Sequence, residues 1–310
     1  MKNTNKNTIP SVTIAVSAYN EGRNIKKFLE SILMQKEEGF VLDAIWVYSD
    51  GSTDKTVEMA RSLKSKKIKI IDDKKRLGKS TRLNDIYKKV ESDYLVQSDA
   101  DVIFSHEYVV RDIIQPLIEN SKVGMCGGNP MGLPPSTFWE KAVRVACDPY
   151  QDFRSEVRGG NNVFSAVGQI LAYRKEFLKS ITVPTDMITN DLYTYFCCLT
   201  HGWKYRYVKS AVVFFQSPKR LRDLLRQNTR FHSGHIRMFE YFKSELVKKE
   251  TSIPRYARYK SLLKQFIKYP VHASVYFIVN IYAKINAINS GRKLNAKWQI
   301  AITTKNLNKS

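Results

Sequence analysis

Two periods of apolar residues alternate along the first third of the chain. Val12, Ile14 and Val16 lie in a short apolar run, which predicts a buried strand. The apolar residues between Ile25 and Leu33 recur at helical spacing, which predicts a helix after that strand. Three further strands, with helical patterns between them, are predicted at residues 44–48, 68–71 and 94–97. Because strand and helix alternate, we predict an α/β fold whose mostly parallel, Rossmann-like sheet is flanked by helices.

The pattern is less regular between residues 123 and 216. Residues 165–173 predict a strand or hairpin, residues 192–199 a short helix, and residues 205–215 two strand-like runs. These elements extend the α/β unit, and we predict one catalytic domain over residues 1–217.

A different pattern follows in the last third of the chain. One helical pattern extends to residue 242, and a second runs from residue 256 to residue 288 with a break at Pro270. Its most apolar part, residues 273–283, has 11 residues, whereas a membrane-spanning helix needs about 20. The pattern favours amphipathic helices that lie in a membrane interface. Helices that simply pack on the α/β body are the alternative.

Charge separates the same two regions. The chain of 310 residues is 43% hydrophobic and 26% charged, which excludes a disordered, collagen-like or coiled-coil protein. Its formal net charge is +22, and residues 218–310 carry 20 Lys and Arg against 4 Asp and Glu. Such a basic region favours binding to phosphate groups, whether in nucleic acid, in anionic lipid or in a phosphorylated substrate. We predict that residues 218–310 form a basic, amphipathic, membrane-associating helical region.

Polar turns follow the predicted strands, at the edge where parallel sheets bind ligands. Asp99 and Asp101 lie on one such turn and form an oxygen site for Mg²⁺ or Mn²⁺ shared with a diphosphate; a solvated loop is the alternative. Asp50 is placed to accept hydrogen bonds from a nucleobase or ribose. The turn at residues 76–79 (Arg-Leu-Gly-Lys) suits a phosphate or a nucleotide edge, with a solvated charge run as the alternative.

Seven motifs in chain order resemble those of the family 2 glycosyltransferases of GT-A fold. They lie at residues 17–21 (Ser-Ala-Tyr-Asn-Glu), 49–54 (Ser-Asp-Gly-Ser-Thr-Asp), 76–79, 98–101 (Ser-Asp-Ala-Asp), 168–175 (Gly-Gln leading to Arg-Lys), 189–191 (Thr-Asn-Asp) and 227–231 (Gln-Asn-Thr-Arg-Phe). The resemblance covers residues 11–237. The chain departs from the family pattern at Ser49, Asn190 and Phe231, where Asp, Glu and Trp are common.

The resemblance implies a binding site for a nucleotide-sugar donor, UDP-linked by preference. Tyr19, Glu21 and Asp50 would hold the base and ribose of this donor. Lys79 would approach the base.

The resemblance also implies the groups that act on the diphosphate and the acceptor. Asp99 would contact ribose or metal, and Asp101 would bind the Mn²⁺ or Mg²⁺ ion on the diphosphate. Asp191 matches the carboxylate of the Thr-Glu-Asp motif, which acts as the catalytic base. Gln227 and Arg230 match the Gln-x-x-Arg-Trp motif, which faces the diphosphate and the acceptor mouth.

These roles predict a metal-dependent glycosyltransferase that inverts the anomeric carbon. The expected partners are a nucleotide sugar, a lipid or glycan acceptor and a membrane surface with anionic lipids, with no nucleic acid. The first eight residues lack the apolar core of a signal peptide, and the four cysteines show no zinc or disulfide spacing. The expected location is the cytoplasmic face of the cell membrane, as a peripheral or monotopic protein.

Three other interpretations of the sequence remain open. A nucleotidyltransferase on a similar sheet would use the metal carboxylates but would not need Asp191 or the pair Gln227 and Arg230. A nucleic-acid-binding protein would use the basic region alone, with strong dependence on salt. An inactive relative would bind and scaffold without turnover.

Overall fold

The computed structural model of the chain describes residues 9–252, 254–290 and 307. The strands of this part are β1 (Ser11–Ala18), β2 (Val41–Asp50), β3 (Ile68–Asp73), β4 (Tyr94–Ser98), β5 (Val102–Phe104), β6 (Val123–Gly132), β7 (Ile170–Arg174) and β8 (Lys204–Phe215). They form one sheet in the order β3-β2-β1-β4-β7-β6-β8-β5.

Helices connect and cover these strands. They are α1 (Ile25–Leu33), α2 (Thr56–Arg61), α3 (Lys79–Lys89), α4 (Val109–Glu119), α5 (Phe138–Glu156), α6 (Lys175–Lys179), α7 (Asn190–Thr200), α8 (Leu221–Tyr241), α9 (Ser244–Thr251), α10 (Arg255–Lys268) and α11 (Pro270–Ser290).

The predicted α/β class is confirmed, and the sheet has a parallel half and a mixed half. Strands β3, β2, β1 and β4 are mutually parallel neighbours, as their alternation with helices predicts. Strand β7 runs antiparallel to both β4 and β6, while β6 and β8 are parallel. The two strand-like runs predicted at residues 205–215 are one strand, whose pairing with β6 shifts register between Gly127 and Asn129.

The core lies on both faces of the sheet, because alternate strand residues point to opposite faces. Ile14 and Val16 of β1 belong to a cluster that packs under α1 and α4. Ala15 belongs to a second cluster, shared with α3, α6 and α7. This second cluster also takes in Met238 of α8 and Val247 of α9, both fully buried.

The helical C-terminal region is present, and the predicted break at Pro270 separates α10 from α11. Helix α11 packs against α8 and α5. Within the described residues, no helix has both the length and the apolar character needed to cross a bilayer. Residues 253, 291–306 and 308–310 of the predicted membrane-associating region lie outside the described residues.

Candidate functional site

The site lies at the edge of the sheet where β1, β2 and β4 end. Parallel pairing brings these ends together: Ala18 pairs with Ser49, and Val16 pairs with Ser98. Five of the nine predicted site residues lie here: Tyr19 and Glu21 follow β1, Asp50 ends β2, and Asp99 and Asp101 follow β4. This edge is where parallel sheets bind their ligands.

The loop after β1 is held by hydrogen bonds to the loop after β2. Asn20, with a left-handed φ of 54°, donates its backbone N–H to Ser52 Oγ (3.1 Å) and accepts the Thr53 N–H on its side-chain oxygen (2.8 Å). Glu21 donates its N–H to Thr56 Oγ1 at 2.8 Å. These bonds fix the backbone on either side of Tyr19 and Glu21, two of the residues predicted to hold the donor.

Asp50 is almost fully buried, with 3% of its surface exposed. One of its oxygens accepts the Leu77 N–H and Arg82 Nε, both at 2.8 Å, and the other accepts the Gly78 N–H at 2.9 Å. A carboxylate that accepts two backbone N–H groups of a turn and one side-chain N–H from the helix after it fixes that turn. The structure therefore places Asp50 beneath the turn at residues 76–78, and its predicted contact with the base or ribose of a donor stays a prediction.

Arg82, which sequence reasoning missed, is the buried counter-ion of this turn. It is 2% exposed and also contacts Asp73 and the carbonyl of Lys75, 2.8 Å away. The sequence could have indicated this role, because Arg82 lies next to Leu83 on the apolar side of a predicted helix. An arginine in such a position needs a buried partner.

Two glycines allow the turn at residues 76–78 to approach the loop after β2. Gly51 has a φ of 69°, and a Cβ at this position would lie 2.7 Å from the backbone nitrogen of Arg76. Gly78 has a φ of 99° and ends the turn directly before Lys79. Across the loops, the Arg76 guanidinium stacks 3.9 Å from the ring centroid of Tyr19. The result is a surface of one aromatic ring and one cation beside the predicted nucleotide residues.

A second group of predicted residues converges around Gly168. Asp191 accepts the Gly168 N–H on one oxygen (3.0 Å) and the Leu192 N–H on the other (2.9 Å). Lys79 forms an ion pair with Asp99. A Cβ at Gly168 would lie 3.6 Å from Asp99 Oδ2 and 3.7 Å from both Asp191 Oδ2 and Lys79 Nζ. The open side of this glycine is therefore lined by two carboxylates and one ammonium group.

The charges of this group shift one another's proton affinities. Burial raises the pKa of Asp191, and the nearby Asp99 charge adds to that shift, while Lys79 opposes it. Burial works against the charge of Lys79, but Asp99 and Asp191 outweigh it and raise the pKa of that ammonium group. A carboxylate with a raised pKa is the kind of group that accepts a proton near neutral pH.

Helix α8 brings Arg230 to the same carboxylates. Burial lowers the pKa of Arg230, while the charges of Asp191, Asp99 and Asp101 act in the opposite direction. Gln227 lies three residues earlier on α8 and is half-buried. The structure therefore joins predicted residues from β4, α3, α7 and α8 into one charged cluster.

Close packing sets the position of α8. A Cβ at Gly234, one turn after Arg230, would lie 2.3 Å from Cγ2 of Thr189. Only a glycine lets the helix backbone approach this closely. Thr189 precedes α7, the helix that carries Asp191 in its first turn, so this contact sets the spacing between Arg230 and Asp191.

The donor set of the Asp99–Asp101 turn suits a hard divalent cation. Both side chains offer carboxylate oxygens, which Mg²⁺ and Mn²⁺ prefer. No cluster of three or more His, Cys, Asp and Glu side chains suited to a metal ion occurs in the part of the chain that the structure describes. Two carboxylates fit an ion that completes its coordination with diphosphate oxygens and water, as Mg²⁺ commonly does in nucleotide sites.

Comparison with known proteins gives the family. The sequence profile of Glycosyl transferase family 2 matches residues 13–182. Poly-beta-1,6-N-acetyl-D-glucosamine synthases from several Staphylococcus aureus strains are 28% identical over 240 residues, which is 74% of this chain. The match covers 56% of those relatives, so the chain spans little more than half of their length.

Solved structures share the fold. A mannosyltransferase from Pyrobaculum calidifontis, in complex with GDP-Man and Mn²⁺, superposes with a TM-score of 0.60 at 19% identity, covering 92% of this chain and 80% of that one. Glucosyl-3-phosphoglycerate synthase from Mycobacterium tuberculosis, in complex with Mn²⁺, UDP and phosphoglyceric acid, has a TM-score of 0.51 at 16% identity, covering 73% of this chain and 78% of that one. The sheet and its flanking helices are thus of GT-A type, and the chain belongs to glycosyl transferase family 2.

Proposed function

We propose that this glycosyltransferase moves a sugar from a UDP-linked donor to a hydroxyl of a lipid or glycan acceptor, with inversion at the anomeric carbon. The observation that carries the proposal is the open side of Gly168, lined by Asp99, Asp191 and Lys79 with Arg230 in electrostatic reach. Transfer of a sugar from a diphosphate to a hydroxyl needs this combination of groups. Cations stabilise the phosphates, and a base accepts the proton of the hydroxyl.

The donor's nucleotide occupies the loops after β1 and β2. Tyr19 and Glu21 contact the base and ribose, and the Arg76 guanidinium stacked on Tyr19 extends that surface. Asp50 acts on the same nucleotide chiefly by holding the turn at residues 76–78 in shape. Its direct contact with the base is the part of the proposal that a nucleotide complex would test.

The reaction is a single displacement at the anomeric carbon. The acceptor oxygen forms a bond to that carbon as the bond from the carbon to the diphosphate oxygen breaks, and Asp191 takes the proton of the acceptor hydroxyl. Arg230 stabilises the negative charge that develops on the leaving diphosphate, and Gln227 lies three residues before it on α8. Lys79 is proposed to act on the diphosphate too, rather than on the base as the resemblance implies, because it pairs with Asp99 beside Gly168. Attack from the face opposite the leaving group inverts the anomeric centre. The β linkage named in the S. aureus relatives supports this outcome.

The metal is proposed at the Asp99–Asp101 turn. Asp101, with Asp99, would hold Mn²⁺ or Mg²⁺, and the ion would supply positive charge to the diphosphate. The Mn²⁺ in both of the solved complexes supports a divalent ion without distinguishing Mn²⁺ from Mg²⁺.

The acceptor is proposed to reach the site at the cytoplasmic face of a membrane, where the chain is peripheral or monotopic. Support comes from the basic C-terminal region and from the apolar side chains that α10 and α11 expose. No feature of the site favours a nucleic acid.

Donor hydrolysis by purified protein tests the proposal. A panel of UDP- and GDP-sugars is incubated with Mn²⁺, Mg²⁺ or EDTA, and nucleoside diphosphate and pyrophosphate are measured. We expect slow, metal-dependent release of UDP from one donor, lost in Asp101→Asn. The matched control is Asp43→Asn, an exposed aspartate near the opposite end of β2. Pyrophosphate release would indicate a nucleotidyltransferase instead, and metal-independent turnover would contradict the metal site.

A further inference from the structure

Helix α11 turns an apolar face to solvent along its whole length. Its buried positions are mostly small: Ala273, Val279, Ala283 and Ala287. Seven large apolar side chains, each between 46% and 66% exposed, point away from the protein: Val271, Phe277, Ile278, Ile281, Tyr282, Ile285 and Ile288. Contiguous exposed patches of this kind are rare on monomeric soluble proteins and mark interaction sites.

Helix α10 contacts α11, exposes further apolar side chains and adds charge. Tyr259, Leu263, Phe266 and Ile267 are exposed and share one side of the helix. Exposed lysines at 260, 264 and 268 form a neighbouring row at four-residue spacing. Together with the seven apolar side chains of α11, these residues form what we call the α10–α11 face.

The charge of α10 and α11 indicates which kind of partner binds the α10–α11 face. Residues 254–290 contain six Lys and Arg residues and no Asp or Glu. A second copy of the chain would bring the same positive row to the interface without an acidic complement. An anionic bilayer accepts apolar side chains below its headgroups and lysine ammonium groups at their level. The α10–α11 face therefore fits a membrane surface that carries anionic lipids.

The opposite side of α11 touches the helix that carries Arg230. Asn228 Nδ2 donates to the hydroxyl of Tyr276 at 3.3 Å, and His232 Nε2 donates to Oδ1 of Asn280 at 2.9 Å. The two α8 residues are one turn apart, as are the two α11 residues. Arg230 lies between Asn228 and His232 in sequence and reaches the charges of Asp191 and Asp99. Helix α8 thus stands between α11 and the site.

The same contact has an apolar part. Its buried members are Val143 of α5, Leu224 of α8 and Val279 of α11, and partly buried apolar side chains at Leu221, Leu225, Val275 and Tyr276 pack around them. The two polar pairs add to this apolar contact, while most of the large apolar side chains of α11 remain exposed.

We propose that an anionic bilayer activates the transferase by holding the α10–α11 face. Burial of that face in lipid seats α11 against α8, and the pairs Asn228–Tyr276 and His232–Asn280 pass this constraint to Arg230. The activation step rests on the proposed sugar transfer, whereas the binding of the bilayer rests on the α10–α11 face and can be measured without turnover. Residues of α11 are positioning residues in this scheme, since they act through α8.

Vesicle flotation of the full chain tests the surface. We expect binding to vesicles of phosphatidylcholine with phosphatidylglycerol, weakened by salt, and much less binding to phosphatidylcholine alone. Ile278→Asp should abolish binding, and Lys264→Gln should weaken it about fivefold, as expected for one lysine near an anionic surface. The matched control is Ile118→Asp, which places the same charge at an exposed isoleucine of α4. Absence of vesicle binding, equal binding to neutral vesicles, or concentration-dependent dimerisation through this face would overturn the assignment.

A second measurement tests the coupling. Donor hydrolysis by wild-type protein should rise about fivefold or more with anionic vesicles, within the usual range of allosteric coupling. Asn280→Ala should bind vesicles as wild type does but lose the stimulation, whereas Asn280→Asp keeps an acceptor for His232 and should retain it. Amide hydrogen exchange in α8 provides a readout without turnover: vesicles should slow it in wild type and in Asn280→Asp only. Vesicle binding that leaves α8 exchange unchanged in wild type would refute the coupling even if no donor were hydrolysed.

Discussion

At the residue scale, Asp191, the proposed catalytic carboxylate, is held by backbone N–H groups rather than by side-chain hydrogen bonds. Asp191 receives one N–H from Gly168 and one from the first turn of its own helix. Both bonds favour the charged form, yet burial is the larger effect and raises its pKa. The geometry therefore orients a base while leaving it with a higher proton affinity than an exposed aspartate.

The first prediction concerns the pH dependence of Asp191. As the base must be deprotonated, kcat/KM should rise with pH through a pKa above the ordinary aspartate value. Asp191→Asn should lower kcat by about 10²–10⁴-fold and remove this rising limb, while Asp43→Asn leaves the profile unchanged. The pKa of Asp191 is higher in the folded chain than in the unfolded chain, so protonation of Asp191 stabilises the fold. This stabilisation is lost as the pH rises through the folded-state pKa. A rising limb that persists in Asp191→Asn would assign the base to another group.

Two of the three positions that depart from the family pattern, Asn190 and Phe231, have structural partners. Asn190, where Glu is common, is buried and bonds Ser80 at 3.3 Å, which joins the start of α7 to the start of α3. Phe231, where Trp is common, is 43% exposed and lies 5.4 Å from the Arg230 guanidinium. A neutral amide at position 190 thus suits a buried polar contact, where an additional carboxylate would need a counter-ion.

At the element scale, α8 is the helix that completes the site. It meets the rest of the site at Gly234, where the backbone lies against Thr189. Its other side contacts α11 through two polar pairs. Small shifts of this one helix therefore move Arg230 and Gln227 relative to Asp191.

Gly234→Ala tests this packing. In an exposed helix interior, the change from Gly to Ala stabilises by about 1 kcal/mol. Here the methyl group meets Thr189, so we expect destabilisation of about 1–3 kcal/mol and a loss of donor hydrolysis as Arg230 is displaced. Thr189→Ala in the same chain removes the two nearest atoms that the methyl group meets, Cγ2 and Oγ1, and should restore part of both, as a double-mutant cycle would measure. An increase in stability in Gly234→Ala alone would show that the contact is looser than the structure indicates.

At the scale of the whole molecule, the charge boundary and the packing boundary differ. The basic region begins at residue 218, but Met238 and Val247 belong to the second core cluster of the α/β body. Glu250 accepts hydrogen bonds from Tyr195 (2.6 Å) and Arg158 (2.7 Å), which ties α9 to the same body. We propose that the catalytic unit extends through α9 and that the membrane-facing part begins with α10.

Two shortened chains distinguish these boundaries. A chain of residues 1–252 keeps both core side chains and Glu250, and it should unfold cooperatively and hydrolyse donor at the basal rate without stimulation by vesicles. A chain of residues 1–217 loses two buried apolar side chains worth about 1.5–3 kcal/mol each, and Arg230 with them. We expect this chain to unfold at a lower temperature in a thermal unfolding experiment and to show no donor hydrolysis. A stable 1–217 fragment would support the boundary that the charge distribution predicts.

Local information was enough to predict the class of fold and the positions of the motifs. The period-two run at Val12, Ile14 and Val16 and the helical spacing after Ile25 specify strand and helix, because each period reports which side of an element is covered. The polar turns at Asp50 and Asp99 then follow strand ends. Parallel pairing places those turns at one edge without further information.

Contacts between distant segments settled the rest. Three such contacts, the bond of Asp50 to Arg82, the bond of Gly168 to Asp191 and the packing of Gly234 on Thr189, join residues 23 to 45 positions apart. A periodic pattern shows that α11 has an apolar face, but not which of its apolar residues another helix will cover. That choice depends on the packing of α8 and α5 against it, which leaves the larger side chains outside, where the proposed bilayer would cover them.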